Sequence, residues 1–319
     1  MTWQSLARRE ITLLLALVGV ATVFSAASPF FFSASNLSTI LKNSLEPALV
    51  GLGMSFVLAT GGIDIAVGGV LGIGAIIIGW GVQAGWPVAV IALLGPCLGA
   101  LLGLVSGGLI VAGRIPPIIA TLSLYGVYRT AIFLLLGGSW ISGLPNTLGP
   151  LVNGIVLGIP LVALYVVILY LLGLLILRWL PLGTAVLAVG GNQQAARLAG
   201  VHVPRVKLFV YGFTGLLTGI SALLYVARYR NVETSTGGLL GLDAIVAAVL
   251  GGTSVLGGRA NLTGTLLGVL LIRTLQNGFV LVGVPSLWEQ VITGGLLILV
   301  LILDSLTASG RWTAATARP

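Results

Sequence analysis

Long apolar runs separated by short polar breaks dominate the chain, and their lengths set its architecture. A helix that crosses a bilayer needs about 20 apolar residues. Ten runs meet or approach that length: 11–28, 44–62, 66–84, 87–112, 115–137, 159–178, 208–227, 241–257, 261–283 and 286–304. The second and eighth are short or interrupted by glycine. The pattern predicts an all-α polytopic membrane protein of about ten transmembrane helices. Polar residues gather in three longer breaks, 138–158, 179–207 and 228–240.

One of those breaks holds an island, Gly190-Gly191-Asn192-Gln193-Gln194-Ala195-Ala196-Arg197-Leu198-Ala199-Gly200. Asn192 is a good N-cap, residues 193–199 favour helix, and Gly200 is a natural C′ stop. Two helical turns are too few to be stable in water without something to dock against. Such an island is either an ordinary capped helix in a loop or a knob offered to a soluble partner. The second is what an ATP-driven transporter needs in order to receive its power stroke.

Composition strengthens the membrane assignment. Residues are 57% hydrophobic and 7% charged, against about 25% charged in soluble domains, and the mean hydropathy is +1.15. The 47 glycines suit close helix–helix approach in lipid, where small residues drive packing. A net charge of +8 does not indicate nucleic-acid binding, because the basic residues sit at the ends of apolar runs without interleaved aromatics. The single cysteine, Cys97, lies within a span, so no disulfide framework exists. His202 has no Cys or carboxylate neighbours at ligand spacing, and no metal site is expected. Arg8 and Arg9, followed by an apolar run to Phe24, mimic a secretory signal. The further spans behind them favour an uncleaved first helix.

Orientation follows from charge. With the N-terminus inside, Arg8, Arg9, Arg114, Arg178, Arg197, Arg205, Lys207, Arg259, Arg311 and Arg318 face the cytoplasm, while only Lys42, Arg228 and Arg230 face outward. This is a positive-inside bias. It places the 179–207 loop and both termini in the cytoplasm.

An internal echo links Gly62–Gly72 to Gly241–Gly251, with Gly, Asp, Val, Val, Leu and Gly identical at one offset. Gly99–Gly103 against Gly264–Gly268, and Ile115-Pro116 against Val284-Pro285, follow in the same order. Two halves of five spans each must be inverted relative to one another, because five is odd. Inverted repeats with glycine-interrupted helices are a transporter signature. Ionisable residues within spans are functional candidates. Asp64 and Asp243 each precede an apolar run, and either cap a helix or contact solute. Arg129, beside Tyr125 and Tyr128, either snorkels or lines a cavity. Arg273, Gln276 and Asn277 share one helical face at i, i+3, i+4, and Trp288-Glu289-Gln290 opens the last span. Each either faces a sugar-sized polar solute or bonds a neighbouring helix.

The chain carries no phosphate-binding GxxxxGK[ST] loop: Lys42 is followed by Asn and Lys207 by Leu. No nucleophile–base set, metal-ligand cluster or dinucleotide fingerprint is present. We therefore expect no enzymatic activity and no cofactor. A transporter without a motor either uses an ion gradient or borrows an ATPase, and the capped helix favours borrowing.

Three segments then resemble a known family over nearly the whole chain, the permease subunits of bacterial ATP-binding-cassette (ABC) importers for ribose, xylose, rhamnose and autoinducer-2. Gly61–Gly68 is similar to that family's GGIDLSVG, Gly191–Val201 to its GxNxxAAxxxGI loop, and Ala248–Gly258 to its VLGGxSxxGG. The loop also resembles the EAAxxxG signature of importer permeases, with Gln194 where Glu is usual and without the usual downstream Ile-x-Leu-Pro. Thr121–Arg129 and Gly138–Pro145 look most like autoinducer-2 and rhamnose permeases.

The resemblance implies a bacterial inner-membrane permease dimer, of identical or sibling subunits, with separate ATPase subunits and a periplasmic sugar-binding protein. Asn192, Gln194, Ala195, Ala196, Arg197, Leu198, Ala199 and Gly200 would then form the coupling helix, while 138–158 and 228–240 help receive the binding protein. Candidate path residues are Asp64, Tyr125, Arg129, Asp243, Arg273, Asn277, Trp288 and Glu289. A single permease domain is expected over 1–319: a first half (1–178), a coupling loop (179–207), a second half (208–304) and a tail (305–319). Rival readings are a branched-chain amino acid permease of related architecture, an ion-coupled carrier acting alone, and a membrane scaffold that transports nothing.

Overall fold

The computed structural model describes residues 3–285 together with Trp288, Val291, Gly294, Gly295 and Ile298. Its elements are α1 (Trp3–Ala27), α2 (Ala34–Ala59), α3 (Val67–Gln83), α4 (Val88–Val111), α5 (Pro117–Leu136), α6 (Pro150–Asn153), α7 (Leu161–Trp179), α8 (Pro181–Gly191), α9 (Gln193–Leu198), α10 (Val203–Tyr229), α11 (Leu240–Leu250) and α12 (Leu262–Leu281). The described strands are one two-residue antiparallel pair, Ile155–Val156 with Ile159–Pro160. The chain is a polytopic helical membrane protein. Among the described residues, six helices are long and apolar enough to span a bilayer: Arg9–Ala27 of α1, then α4, α5, α7, α10 and α12.

The expected spans and these six helices agree to within a few residues. Three segments differ. The helix expected over 44–62 begins ten residues earlier, at Ala34, because the polar groups that interrupt its apolar run find partners. Lys42 Nζ donates to Asn153 Oδ1 at 2.7 Å, and Glu46 pairs with Arg228 at 3.4 Å. From Ser44 onward α2 is buried and forms the centre of the bundle. The helix expected over 241–257 ends at Leu250. Eleven residues reach about 16 Å, roughly half the hydrocarbon thickness. Beyond it Gly252, Gly257 and Gly258 all adopt positive φ, which no helix continues. Finally, the 179–207 loop contains an apolar helix, α8, besides the expected short one. The last expected span (286–304) lies mostly outside the described residues, and the tail (305–319) wholly so.

Glycine decides how the central helices meet. Gly95, Gly99 and Gly103 of α4 lie one turn apart and face Tyr211, Gly215 and Gly219 of α10. A Cβ at Gly99 would fall on the Gly215 carbonyl, one at Gly103 on that of Tyr211, and one at Gly219 on that of Gly95. The two backbones therefore touch, as small-xxx-small patterns allow. Hydroxyls within α10 bond back to their own helix. Thr214, Thr218 and Ser221 donate to carbonyls four residues earlier at 2.7, 2.8 and 2.9 Å, so these three buried hydroxyls are satisfied within their own helix.

Helix α10, 27 residues and about 40 Å long, runs between two sets of polar contacts that tie the bundle at its ends. At one end Arg9 donates to the Val249 carbonyl at 3.1 Å, and Gly258 N–H donates to Ala59 O at 2.9 Å. At the other, Ile141 pairs with Val232 and Arg230 donates to Leu144 O at 2.6 Å.

Candidate functional site

Helix α9 is closed at both ends by its own residues. Asn192 holds an extended backbone, and its Oδ1 accepts from the N–H groups of Gln194 and Ala195, both at 3.0 Å. At the other end Gly200 has φ +84°. Its N–H donates to Arg197 O at 3.0 Å, and that of Val201 donates to Ala196 O at 2.9 Å. This is a Schellman stop, available because glycine enters the left-handed region freely. Ala196 faces inward, whereas Gln194, Ala195, Arg197, Leu198, Ala199 and Gly200 are exposed. Leu198 stands 92% exposed, an apolar knob on a short rigid mount.

A polar pocket of about 340 Å³ lies near the opposite end, lined by Asn43, Glu46, Tyr225, Tyr229, Asp243 and Arg273. Arg273 joins Asp243 at 2.7 Å, with both side chains 17% exposed. Its other nitrogen donates to Gln276 Oε1 at 2.7 Å. Arg228 donates to Lys42 O at 2.6 Å, bonds Asn43 Oδ1, and lies 4.5 Å from the Tyr229 ring centre. Glu46 Oε1 is buried without a hydrogen-bond partner among the described residues.

Asp243 and Arg273, each named separately as a path candidate, are joined by pairing, and Asp243 does not cap its helix. Asp243 lies in the first turn of α11 and makes no cap bond, because a cation on α12 takes its carboxylate. Asn277 separates from Arg273 and Gln276. It exchanges amide bonds of 2.9 Å with Asn36 at the start of α2. Tyr125 and Arg129 approach from α5, donating to Gly238 O at 3.2 Å and Thr236 O at 3.1 Å. They brace the segment whose Gly237 and Gly238 line the pocket. Trp288 is 55% exposed, and Glu289 lies outside the described residues. Glu46 is missing from the sequence-level candidates, although a carboxylate inside an expected span was itself the signal.

Asp64 lies elsewhere, buried at the junction of α2 and α3. Its Oδ1 accepts from Ala66 N–H at 3.0 Å, one residue before α3 starts, and it has no cationic partner among the described residues. The echo partner Asp243 sits within a helix, so the two matched segments differ in local structure. Asn offers the same Oδ1 acceptor. Asp64→Asn is expected to keep the wild-type melting temperature, whereas Asp64→Ala loses about 1–3 kcal/mol by orphaning a buried N–H. Melting measured on both variants checks this, and severe loss of uptake by the Asn variant would show that the charge itself is used.

The family described as branched-chain amino acid transport system / permease component matches residues 36–301. The ribose import permease protein of Bacillus subtilis (strain 168) is 35% identical over 284 residues, 88% of each chain. The autoinducer 2 import system permease protein of Enterobacter sp. (strain 638) is 36% identical over 299 residues, 94% of this chain and 87% of that one. The ribose import permease protein of Escherichia coli (strain K12) is 35% identical over 300 residues, 92% of each. No solved structure matches the chain.

Proposed function

The chain belongs to the permease family of ABC importers, and on that premise we propose that it carries a monosaccharide or autoinducer-2-like ligand inward. It is a transport subunit whose ATPase is a separate chain. Alternating access in a bacterial inner membrane, with both termini cytoplasmic, is the mode we assign. The permease works as a dimer and receives ligand from a periplasmic binding protein. Two inverted halves flank the 179–207 coupling loop, with the half-length α11 in the second.

The observation that carries this reading is the exposed Leu198 on a helix capped at both ends. Movement of the ATPases reaches the bundle through that helix. Helix α9 follows α8 directly, and the end of α8 is seated backbone to backbone. A Cβ at Gly190 would fall on the Ala59 carbonyl and within 2.5 Å of Gly258 N. Ala59 ends central α2, and Gly258 belongs to the segment joining α11 to α12. A push on α9 therefore reaches the two elements whose far portions hold Glu46 and the Asp243–Arg273 pair. The pocket between them has room for a sugar-sized polyol, and its fixed donors and acceptors suit hydroxyl groups.

Reconstitution into liposomes tests the assignment. Uptake is expected only with the ATPase, the binding protein and ATP all present. Uptake by the permease alone under an imposed ion gradient would sink it. The family description favours one second reading, a branched-chain amino acid as solute. Ligand binding to the companion binding protein separates the two.

A further inference from the structure

A cleft lies beside α9, and of its lining residues only Arg197 belongs to the coupling set above. It encloses about 770 Å³ between the α4–α5 turn, α9 and the start of α10. Three cations line it from three separate elements: Arg114 from the turn, Arg197 from α9 and Lys207 from α10. No aspartate or glutamate is among its lining residues. None of the three cations forms a hydrogen bond or ion pair with the described residues, and Arg197 lies close enough to Lys207 to act on it electrostatically. Like charges converging on one concavity repel unless an anion joins them.

Apart from Gln193, the rest of the lining is apolar, including Ile110, Val111, Ile115 and Val203. The cleft opens at the end of α4 and α5, which are only 22% and 28% buried and present apolar side chains outward. Leu109, Ile118 and Ile119 continue that surface at 37%, 50% and 57% exposure. Arg114 holds φ 54°, a left-handed conformation that glycine adopts without strain and other residues rarely do.

We propose that this cleft binds a phosphate group, supplied by an anionic phospholipid of the surrounding leaflet. Two planar guanidinium forks and one ammonium match the oxygens of a phosphodiester, and the apolar wall continues toward the acyl chains. Basic pockets between spans at the cytoplasmic face bind such headgroups. Because Arg197 lies on α9, an occupant ties the α4–α5 turn to the helix that carries Leu198 and so sets that knob's position. The inference rests on the proposed orientation only for which leaflet supplies the lipid.

The test is native mass spectrometry of the delipidated full-length permease, with and without its ATPase, titrated with phosphatidylglycerol, phosphatidylcholine or inorganic phosphate. It needs neither ATP nor solute, so its result stands apart from any transport assay. Phosphatidylglycerol is expected to bind in preference to phosphatidylcholine in both states. Each cation contributes about fivefold, so Arg114→Gln with Lys207→Gln weakens phosphatidylglycerol about 25-fold. Arg114→Lys with Lys207→Arg retains most of the affinity and controls for misfolding. Displacement of the lipid by millimolar phosphate would keep the anion site but overturn the lipid as its source. Equal phosphatidylglycerol binding by wild type and the Gln variant overturns the proposal. So does binding that vanishes once the ATPase is assembled, which would make the cleft part of that interface.

Discussion

Replacement of Leu198 by glutamate is expected to eliminate ATP-driven uptake while the purified permease keeps its wild-type melting temperature. The side chain is 92% exposed in the free permease, so its removal takes no contact away from the bundle. The caps at Asn192 and Gly200 stay intact, and glutamate is a good helix former. In a complex with the ATPase the same position would be covered. Loss of a buried leucine there costs about 1.5–3 kcal/mol, and burial of an unpaired carboxylate adds more. Together these exceed about 100-fold in affinity. Co-purification of the ATPase with the tagged permease reads the effect directly, and Leu198→Met should behave as wild type. Undiminished co-purification of the glutamate variant would remove α9 from the coupling role.

Arg273→Ala is expected to be the most destabilising single change in the polar pocket. It leaves Asp243 without its partner at 2.7 Å and also removes the Arg273 bond to Gln276 Oε1. Breaking one side of a buried ion pair costs about 3–5 kcal/mol, most of it from the charge left behind. The neutral double variant, Asp243→Asn with Arg273→Gln, carries no orphan charge and should recover most of that loss. Thermal unfolding in detergent compares the variants. A single variant that melts within a degree of wild type would mean that water reaches Asp243 and screens it. The double variant also separates structure from transport: restored melting with lost uptake would assign the pair to solute handling.

Helix α9 shows how far local information reaches. Its caps use residues within five positions of one another, Asn192 with Gln194 and Ala195, Gly200 with Arg197, and Val201 with Ala196. Steric and hydrogen-bonding preferences over that distance do not depend on the rest of the fold, so the helix was legible with its boundaries. The Asp243–Arg273 pair shows the opposite limit. Both residues are visible as charges inside apolar runs, yet 30 residues separate them. Helix spacing along the chain does not say which faces meet. Glu46 and Arg228 are 182 residues apart, and only the packing of α10 against α2 brings them together.

Composition gave the membrane class, run length placed the six long apolar helices among the ten expected spans, and local capping set the bounds of α9. These depend on composition, run length and local capping, each of which is written in neighbouring residues. Packing between distant segments set the rest: α11 stops short, α8 is seated on Ala59 and Gly258, and Glu46, paired with Arg228, lines one pocket with the Asp243–Arg273 pair. Those outcomes depend on how closely backbones approach and which buried charges find partners. Such contacts join distant parts of the chain and exist only once the bundle has formed.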